Sequence, residues 1–91
     1  MYSYEVKPSL RKILNKISKK DSGLYKRVIE KISEIINSYD ISHYKNLRYD
    51  LKEFKRAHVG PFVLVFKHDK NKNLISFEDF DHHDNIYQKK F

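Results

Sequence analysis

The chain has 91 residues and carries 19 Lys and Arg against 12 Asp and Glu, so its formal net charge is +7. A chain of this length forms one small domain, and we expect residues 1–91 to be a single domain. The sequence contains no cysteine, which excludes disulfides, thiolate metal sites and cysteine nucleophiles. The longest apolar run, Phe62 to Phe66, is far shorter than the about 20 residues of a transmembrane helix.

The first half of the chain predicts a strand followed by two helices. Aromatic and β-branched residues from Tyr2 to Val6 indicate a short strand, and Pro8 suits the first turn of a helix. Apolar residues then recur at the helical spacings of three and four: Leu10, Ile13, Leu14 and Ile17.

A second helix is predicted from a cap at Asp21 or Ser22 to about Asn37. Its apolar stripe consists of Tyr25, Val28, Ile29, Ile32, Ile35, Ile36 and Tyr39. Because the connection between the two helices is short, we expect them to pack as an antiparallel hairpin.

The second half of the chain predicts strands. "LKEFKRAHV" alternates loosely, Gly60 and Pro61 indicate a turn, and "FVLVFKH" is a near-continuous apolar strand. In "LISFEDF" the alternation places Ile75, Phe77 and Asp79 on one face. Short turns between these strands indicate a three-stranded antiparallel meander, followed by a short helical turn. The predicted fold is α+β, with the helical hairpin covering one face of the sheet.

Basic residues are concentrated before and within the first strand of the meander: Lys45, Arg48, Lys52, Lys55, Arg56 and His58. If residues 52–58 form a strand, then Lys52, Phe54, Arg56 and His58 share one face. Cationic side chains beside an aromatic ring suit phosphate binding and base stacking. The alternative is a solvated edge strand whose lysines discourage pairing with another chain.

The closing segment "DFDHHDNIY" combines carboxylates with two adjacent histidines. On an extended backbone His82 and His83 point to opposite faces, so together they are a poor pair of metal ligands. Histidine transfers protons near neutral pH, and carboxylates nearby stabilise the imidazolium. The residues leave two alternatives open, which are a general acid/base site and a surface pair beside a helix cap at Asp84.

Tyr87 lies four residues after His83, so a helical turn would bring the two side chains together. Tyrosine at this place orients a hydroxyl group, stacks on a base, or closes the end of the core. With two glycines in total, the chain has no glycine-rich phosphate loop, and it has neither a paired-histidine zinc helix nor a nucleophile elbow. These absences exclude a nucleotide-driven enzyme or a serine hydrolase of those types.

The order of strand, helical hairpin, "NLRYDLKEFKRAHVGPFVLVFK" and "LISFEDFDHHDNIY" resembles the RelE toxins of the RelE/ParE superfamily, in its archaeal-like branch. The resemblance covers nearly the whole chain and is tightest from Tyr44 to Tyr87. It implies a type II toxin that cleaves messenger RNA in the ribosomal A site as a metal-independent endoribonuclease. The 2′-hydroxyl of the RNA is then the nucleophile, and a cyclic phosphate is left.

The same resemblance implies the partners and the site residues. The partners are a RelB-like antitoxin, messenger RNA and the ribosome with its 16S RNA, without cofactor, metal, membrane or small-molecule ligand. The implied catalytic residues are Arg56, His58, His82, His83 and Tyr87. The implied RNA- and phosphate-binding residues are Arg48, Lys52, Lys55 and Arg56.

The sequence departs from the family pattern at two positions. Many members carry an arginine in the strand after the turn, where this chain has Val63, and an arginine is also common at the position of His83. Fewer guanidinium groups predict a weaker phosphate clamp. Two alternative functions therefore stay open, a ParE-like inhibitor of DNA gyrase without catalysis and a degenerate toxin that only binds its antitoxin.

Overall fold

The computed structural model describes residues 2–48 and 51–89. In chain order it contains β1 (Ser3–Val6), α1 (Pro8–Lys20), α2 (Ser22–Ile36), a 3-10 turn (Ile41–His43), β2 (Lys55–Val59), β3 (Phe62–Asp69), β4 (Leu74–His82) and α3 (His83–Ile86). The strands form one sheet in the order β1-β4-β3-β2. In this part of the chain, no helix has the length and apolar character of a membrane span.

The predicted antiparallel meander of β2, β3 and β4 is confirmed. The first strand makes the sheet differ from a simple antiparallel meander. β1 pairs in parallel with β4, from Ser3 opposite Leu74 to Val6 opposite Phe77, so the sheet is mixed. Parallel neighbours need a long crossover connection. The chain between β1 and β4 supplies it, because the helical hairpin carries the chain across the sheet before β2 begins.

The two helices begin where the sequence predicts. Pro8 opens α1, and the Asp21 carboxylate accepts a hydrogen bond of 3.0 Å from the Leu24 amide at the start of α2. The main core between the hairpin and the inner face of the sheet contains Leu10, Leu14, Val28, Ile32, Ile35, Ile36, Ile41, Ala57, Val59, Leu64, Phe66, Ile75, Phe77 and Phe80. The predicted stripe of α2 was too wide, because Ile29 and Tyr39 are exposed. Ile29 lies at the margin of the stripe, and Tyr39 lies beyond the end of the helix.

A β-bulge changes the phase of β4. Val65 pairs with Asp79, but the next residue of β3, Phe66, pairs with Phe77, so Glu78 is the extra residue. The predicted common face is therefore confirmed for Ile75 and Phe77 and wrong for Asp79. Phe80 follows Ile75 and Phe77 into the main core, while Asp79 lies opposite a valine of the other face.

The segment after β4 is fastened to that strand by charged groups. The Lys89 ammonium lies 2.8 Å from Asp79 Oδ2 and 2.7 Å from Asp81 Oδ2. Asn85 Nδ2 donates to Asp81 Oδ1 at 3.2 Å. Burial acts to raise the pKa of Asp81, but the hydrogen bonds from Lys89, Asn85 and the His82 amide outweigh it and hold the pKa below its ordinary value. Burial likewise acts to lower the pKa of Lys89, and its bonds to the two carboxylates raise it overall.

We expect Asp81→Asn to lower the free energy of unfolding by roughly 1 kcal/mol near neutral pH, the upper end for a partly exposed ion pair. A carboxyl group whose folded-state pKa is depressed stabilises the fold above its unfolded pKa, and this stabilisation is lost as the pH falls through the folded pKa. The difference between wild type and variant should therefore be full at about pH 7 and shrink below about pH 4. Urea unfolding at several pH values measures it, and a difference that stays constant down to about pH 2 would contradict the assignment.

We also expect Gly60→Ala to destabilise the protein by about 1 kcal/mol, because Gly60 has a φ of +59° in the turn between β2 and β3. A Cβ atom there would lie 3.0 Å from Arg27 Nη2, at the end of a flexible side chain, so the backbone conformation dominates the cost. Gly23→Ala is the matched control. Gly23 lies within α2, where Asp21 Oδ1 is 3.6 Å from the added Cβ, and alanine there should stabilise by up to about 1 kcal/mol. Equal effects of both variants in thermal unfolding would refute the prediction.

Candidate active site

Arg56 and His58 lie on the face of the sheet opposite the helical hairpin, which we call the outer face. Arg56 pairs with Val65 and His58 pairs with Val63. Both valines belong to a second buried cluster that is separate from the main core. The members of this second cluster are Leu47, Leu51, Phe54, Val63, Val65 and Ile86. The predicted common face of Phe54, Arg56 and His58 is thus confirmed. The second buried cluster lies beneath this face.

The last helical turn brings two further side chains to the same place. Ile86 of α3 is fully buried in the second cluster, next to Tyr87. The Arg56 guanidinium donates a hydrogen bond of 3.1 Å from Nη1 to the Tyr87 hydroxyl. The His83 ring meets the Tyr87 ring edge to face, with 5.9 Å between ring centroids.

The ring of His83 also stacks on that of His58, with centroids 6.2 Å apart and an angle of 24° between the planes. Arg56, His58, His83 and Tyr87 therefore form one group, which we call the outer-face cluster. Both histidines are exposed, while Arg56 and Tyr87 are half-buried. The cluster thus presents one guanidinium group, two imidazoles and one phenol to solvent on a rigid strand and a short helical turn.

His82 lies away from this cluster. It pairs with Phe62, whose ring packs against the main core, and the two rings are 6.0 Å apart. Its Nδ1 accepts a hydrogen bond of 3.3 Å from the Asp84 amide, which caps α3. The predicted divergence of the adjacent histidines is confirmed, and the structure gives His82 a capping position in place of one beside Arg56.

The other predicted RNA-binding residues lie at different distances from the cluster. Lys55 pairs with Phe66 on the inner face, and its ammonium donates to the Tyr44 carbonyl at 3.1 Å and to Asn46 Oδ1 at 3.0 Å. Burial, and next the charge of Lys70, lower the pKa of Lys55. Lys55 therefore fastens the preceding loop to the sheet.

Lys52 is exposed in a turn before β2, because this strand begins at Lys55 and not at residue 52. Its predicted place on a strand beside Arg56 is wrong. Arg48 is exposed in the loop that precedes β2. Each of the two directly follows a member of the second cluster, Leu47 or Leu51.

Lys45 is a basic residue to which the sequence alone assigned no role. The Arg56 amide donates to the Lys45 carbonyl at 2.9 Å, and Asn46 forms an isolated bridge with Lys55. These bonds set Lys45 opposite Arg56 along an irregular extra edge of the sheet. In the sequence Lys45 was marked only as one residue of the basic run. Its position beside Arg56 follows from backbone pairing between distant parts of the chain.

Val63, where the resemblance implies an arginine in many family members, is 1% exposed beneath the outer face. It is directly opposite His58. Among the described residues, no group of three His, Asp or Glu side chains is placed to hold a metal ion.

No protein-family model matches the chain. The fold is similar to that of a metal-bound toxin from Helicobacter pylori, with a TM-score of 0.74 and 22% identity, covering 94% of this chain and 99% of that one. It is also similar to the toxin in the intact E. coli RelBE toxin-antitoxin complex, with a TM-score of 0.71 and 14% identity, covering 90% and 96%. At these identities the two structures support the fold alone.

A relative in Methanocaldococcus jannaschii, named "Putative toxin RelE4", is 52% identical over 91 residues, which cover 99% of this chain and 95% of the relative. Identity at this level over almost the full length of both chains shows membership of the same family as well as a common fold. This chain belongs to the RelE family of toxins.

Proposed function

We propose that residues 1–91 act as one cytoplasmic toxin domain of a type II toxin–antitoxin system, which cleaves messenger RNA in the ribosomal A site. The observation that carries the proposal is the outer-face cluster. Arg56 is bonded to the Tyr87 hydroxyl, and two imidazoles stack beside them on the same face. Family membership supports this class of activity.

The cleavage has three chemical requirements. The 2′-hydroxyl loses a proton as it attacks the adjacent phosphorus, the five-coordinate phosphate gains negative charge, and the 5′-oxygen takes up a proton as its bond to phosphorus breaks. The products are a 2′,3′-cyclic phosphate and a 5′-hydroxyl. A base, a cation and an acid are therefore needed on one surface.

Arg56 is the cation in this proposal. Its guanidinium is half-buried and held by the Tyr87 hydroxyl, so little reorganisation is needed when charge develops on the phosphate. A planar guanidinium also binds two phosphate oxygens at once, which a lysine ammonium does not. With Val63 buried beneath this face, Arg56 carries more of the clamp than in members with a second arginine.

His58 and His83 supply the base and the acid between them. Their rings are stacked at 6.2 Å, and both are exposed to an incoming substrate. Imidazole exchanges protons near neutral pH in either direction. Tyr87 contacts both Arg56 and His83, which supports a role for its hydroxyl in orienting the reacting 2′-hydroxyl.

The ribosome supplies the orientation of the substrate. The cluster lies on an open face, which suits an RNA strand held in place by a larger particle. Alignment of the attacking and leaving oxygens contributes a large part of such rate enhancements. Exposed Lys45, Arg48 and Lys52 border this face and provide sequence-independent attraction to the RNA backbone.

A RelB-like antitoxin is the proposed protein partner, as in the similar E. coli toxin-antitoxin complex. An apolar groove of about 310 Å³ runs between the hairpin and the ends of β3 and β4. Its apolar lining consists of Ile13, Ile17, Leu24, Phe62 and Phe80, and its charged lining of Lys16, Lys20, Asp21 and Asp81. Such a groove accepts the apolar face of an amphipathic segment, and its lysines and aspartates offer partners for charged groups of either sign on that segment.

We expect Arg56→Ala to lower the rate of ribosome-dependent cleavage by about 10²–10³-fold, because one preorganised cation is lost from the developing charge. His83→Ala should lower it by about 10²-fold or more, because one proton-transfer group is lost. Purified protein is mixed with programmed ribosomes, and messenger RNA ends are mapped by primer extension over time.

Arg11→Ala and His43→Ala are the matched controls, since both residues are exposed and lie outside the cluster. They should cleave at the wild-type rate. Intact messenger RNA with folded, ribosome-bound wild-type protein would reject the ribonuclease and favour inhibition by contact. Intact messenger RNA without ribosome binding, but with tight antitoxin binding, would favour a degenerate toxin.

Ile17→Glu should weaken binding of the cognate antitoxin at least about tenfold, because a charge enters the apolar groove. Ile29→Glu is the control, since Ile29 is an apolar residue of α2 that is 40% exposed and does not line the groove. Isothermal titration calorimetry compares the two variants, and both should still cleave. Equal affinities would place the antitoxin elsewhere.

A further inference from the structure

Lys89 lies two residues beyond Tyr87 and is held by two carboxylates of β4 at once. Its side chain is 33% exposed, while those of Asp79 and Asp81 are 11% and 31% exposed. The three charged groups form a clamp between β4 and the segment after α3. We call Lys89, Asp79 and Asp81 the C-terminal clamp.

The two carboxylates are themselves fixed by the backbone of β4. Asp79 Oδ1 accepts from the Phe80 amide at 2.8 Å, and Asp81 Oδ1 accepts from the His82 amide at 2.7 Å. β1 pairs with β4 only as far as Phe77, so these amides lie beyond the paired part of that edge. Each carboxylate thus turns one oxygen to its own strand and leaves the other for the Lys89 ammonium.

The segment that carries Tyr87 has little rigidity of its own. α3 has four residues, and a single helical turn is unstable in water. Beyond it, the Gln88 amide donates to the Asn85 carbonyl at 3.1 Å and the Lys89 amide to the Ile86 carbonyl at 3.2 Å. Ile86 anchors the segment just before Tyr87, in the second cluster. Lys89 anchors it just after Tyr87.

We infer that Lys89 is a positioning residue, which holds the Tyr87 hydroxyl against the Arg56 guanidinium by clamping the C-terminal segment onto Asp79 and Asp81. The inference rests on the proposed function, because it assigns Lys89 a part in the cleavage step. Lys89 acts through Tyr87, since its ammonium already contacts two carboxylates whose negative charge disfavours a phosphate at the same place.

Loss of the clamp should lower the rate of cleavage more than the binding of the ribosome. A displacement of a reacting group by about 1 Å costs up to about 10²-fold in rate. For Lys89→Ala we therefore expect the single-turnover rate at saturating ribosome concentration to fall by about 10–100-fold, with the ribosome dissociation constant changed less than about threefold. Lys89→Arg, which also reaches both carboxylates, should recover most of the rate.

Asp81→Asn distinguishes two roles for Lys89, which are positioning of Tyr87 and attraction of RNA by its charge. If Lys89 only attracted RNA, removal of a nearby carboxylate would leave cleavage unchanged or increase it. If the clamp positions Tyr87, then Asp81→Asn lowers the rate as Lys89→Ala does, and the double variant is little worse than either single one. Lys12→Ala, which removes a charge from the exposed part of α1, is the control and should leave the rate unchanged.

Amide hydrogen exchange of residues 84–89, followed by NMR, tests the clamp without reference to activity. We expect faster exchange of the Gln88 and Lys89 amides in Lys89→Ala and in Asp81→Asn, with the amides of β3 unchanged. Unchanged exchange in both variants overturns the clamp. Wild-type rate in Lys89→Ala, or a lower rate explained by weaker ribosome binding, overturns the positioning role.

If wild-type protein fails to cleave while exchange at residues 84–89 responds as expected, the proposed function fails and the clamp stands as a structural element only. That result also overturns the role of Lys89 in catalysis. The two failures are therefore distinguishable, because the exchange data and the cleavage data are obtained on the same set of folded variants.

Discussion

The extra residue in β4 decides which side chains reach each face of the sheet. Because Glu78 is bulged between the pairs Val65–Asp79 and Phe66–Phe77, the strand changes phase in its middle. Phe80 then joins Ile75 and Phe77 in the main core, and a carboxylate is kept out of it. An unbulged strand would place Asp79 among the apolar residues under the helices, where an unpaired charge is costly. The same change of phase directs Asp79 and Asp81 to the place where Lys89 meets them.

The outer face carries the proposed RNA site, which must be accessible to solvent, while the sheet beneath it must be covered from water. The helical hairpin covers only the inner face. On the outer face a small apolar cluster from the loop before β2, from β3 and from α3 provides the cover. Arg56, His58, His83 and Tyr87 stand at the border of this cluster. Strand β2 and the burial of Ile86 therefore help to fix these side chains, while their polar ends remain accessible.

The acidic end of a basic chain has a structural explanation. Asp79 and Asp81 bind their own backbone and Lys89, and the Asp84 carboxylate lies 3.6 Å and 3.7 Å from the adjacent imidazoles of His82 and His83. These carboxylates are paired with groups of their own segment. Most of the net positive charge therefore lies on the rest of the surface. The acids organise the C-terminal segment, and the basic face remains free to attract a polyanion.

The sequence by itself determined the class of elements, the helical hairpin, the meander and the family. The signals for these elements are local, because each acts within a few residues of the chain. They are the apolar spacing of three and four residues, Pro8, Asp21 and the turn at Gly60. It also indicated a common face for Arg56 and His58 and the proximity of His83 and Tyr87, but not that these two pairs meet. Only the tertiary structure decided the parallel pairing of β1 with β4, the bulge at Glu78, the inward position of Lys55 and the partners of Lys89. These features depend on pairs of residues far apart in the chain, such as Arg56 and Tyr87, whose meeting is set by strand register and by burial of apolar surface on two faces.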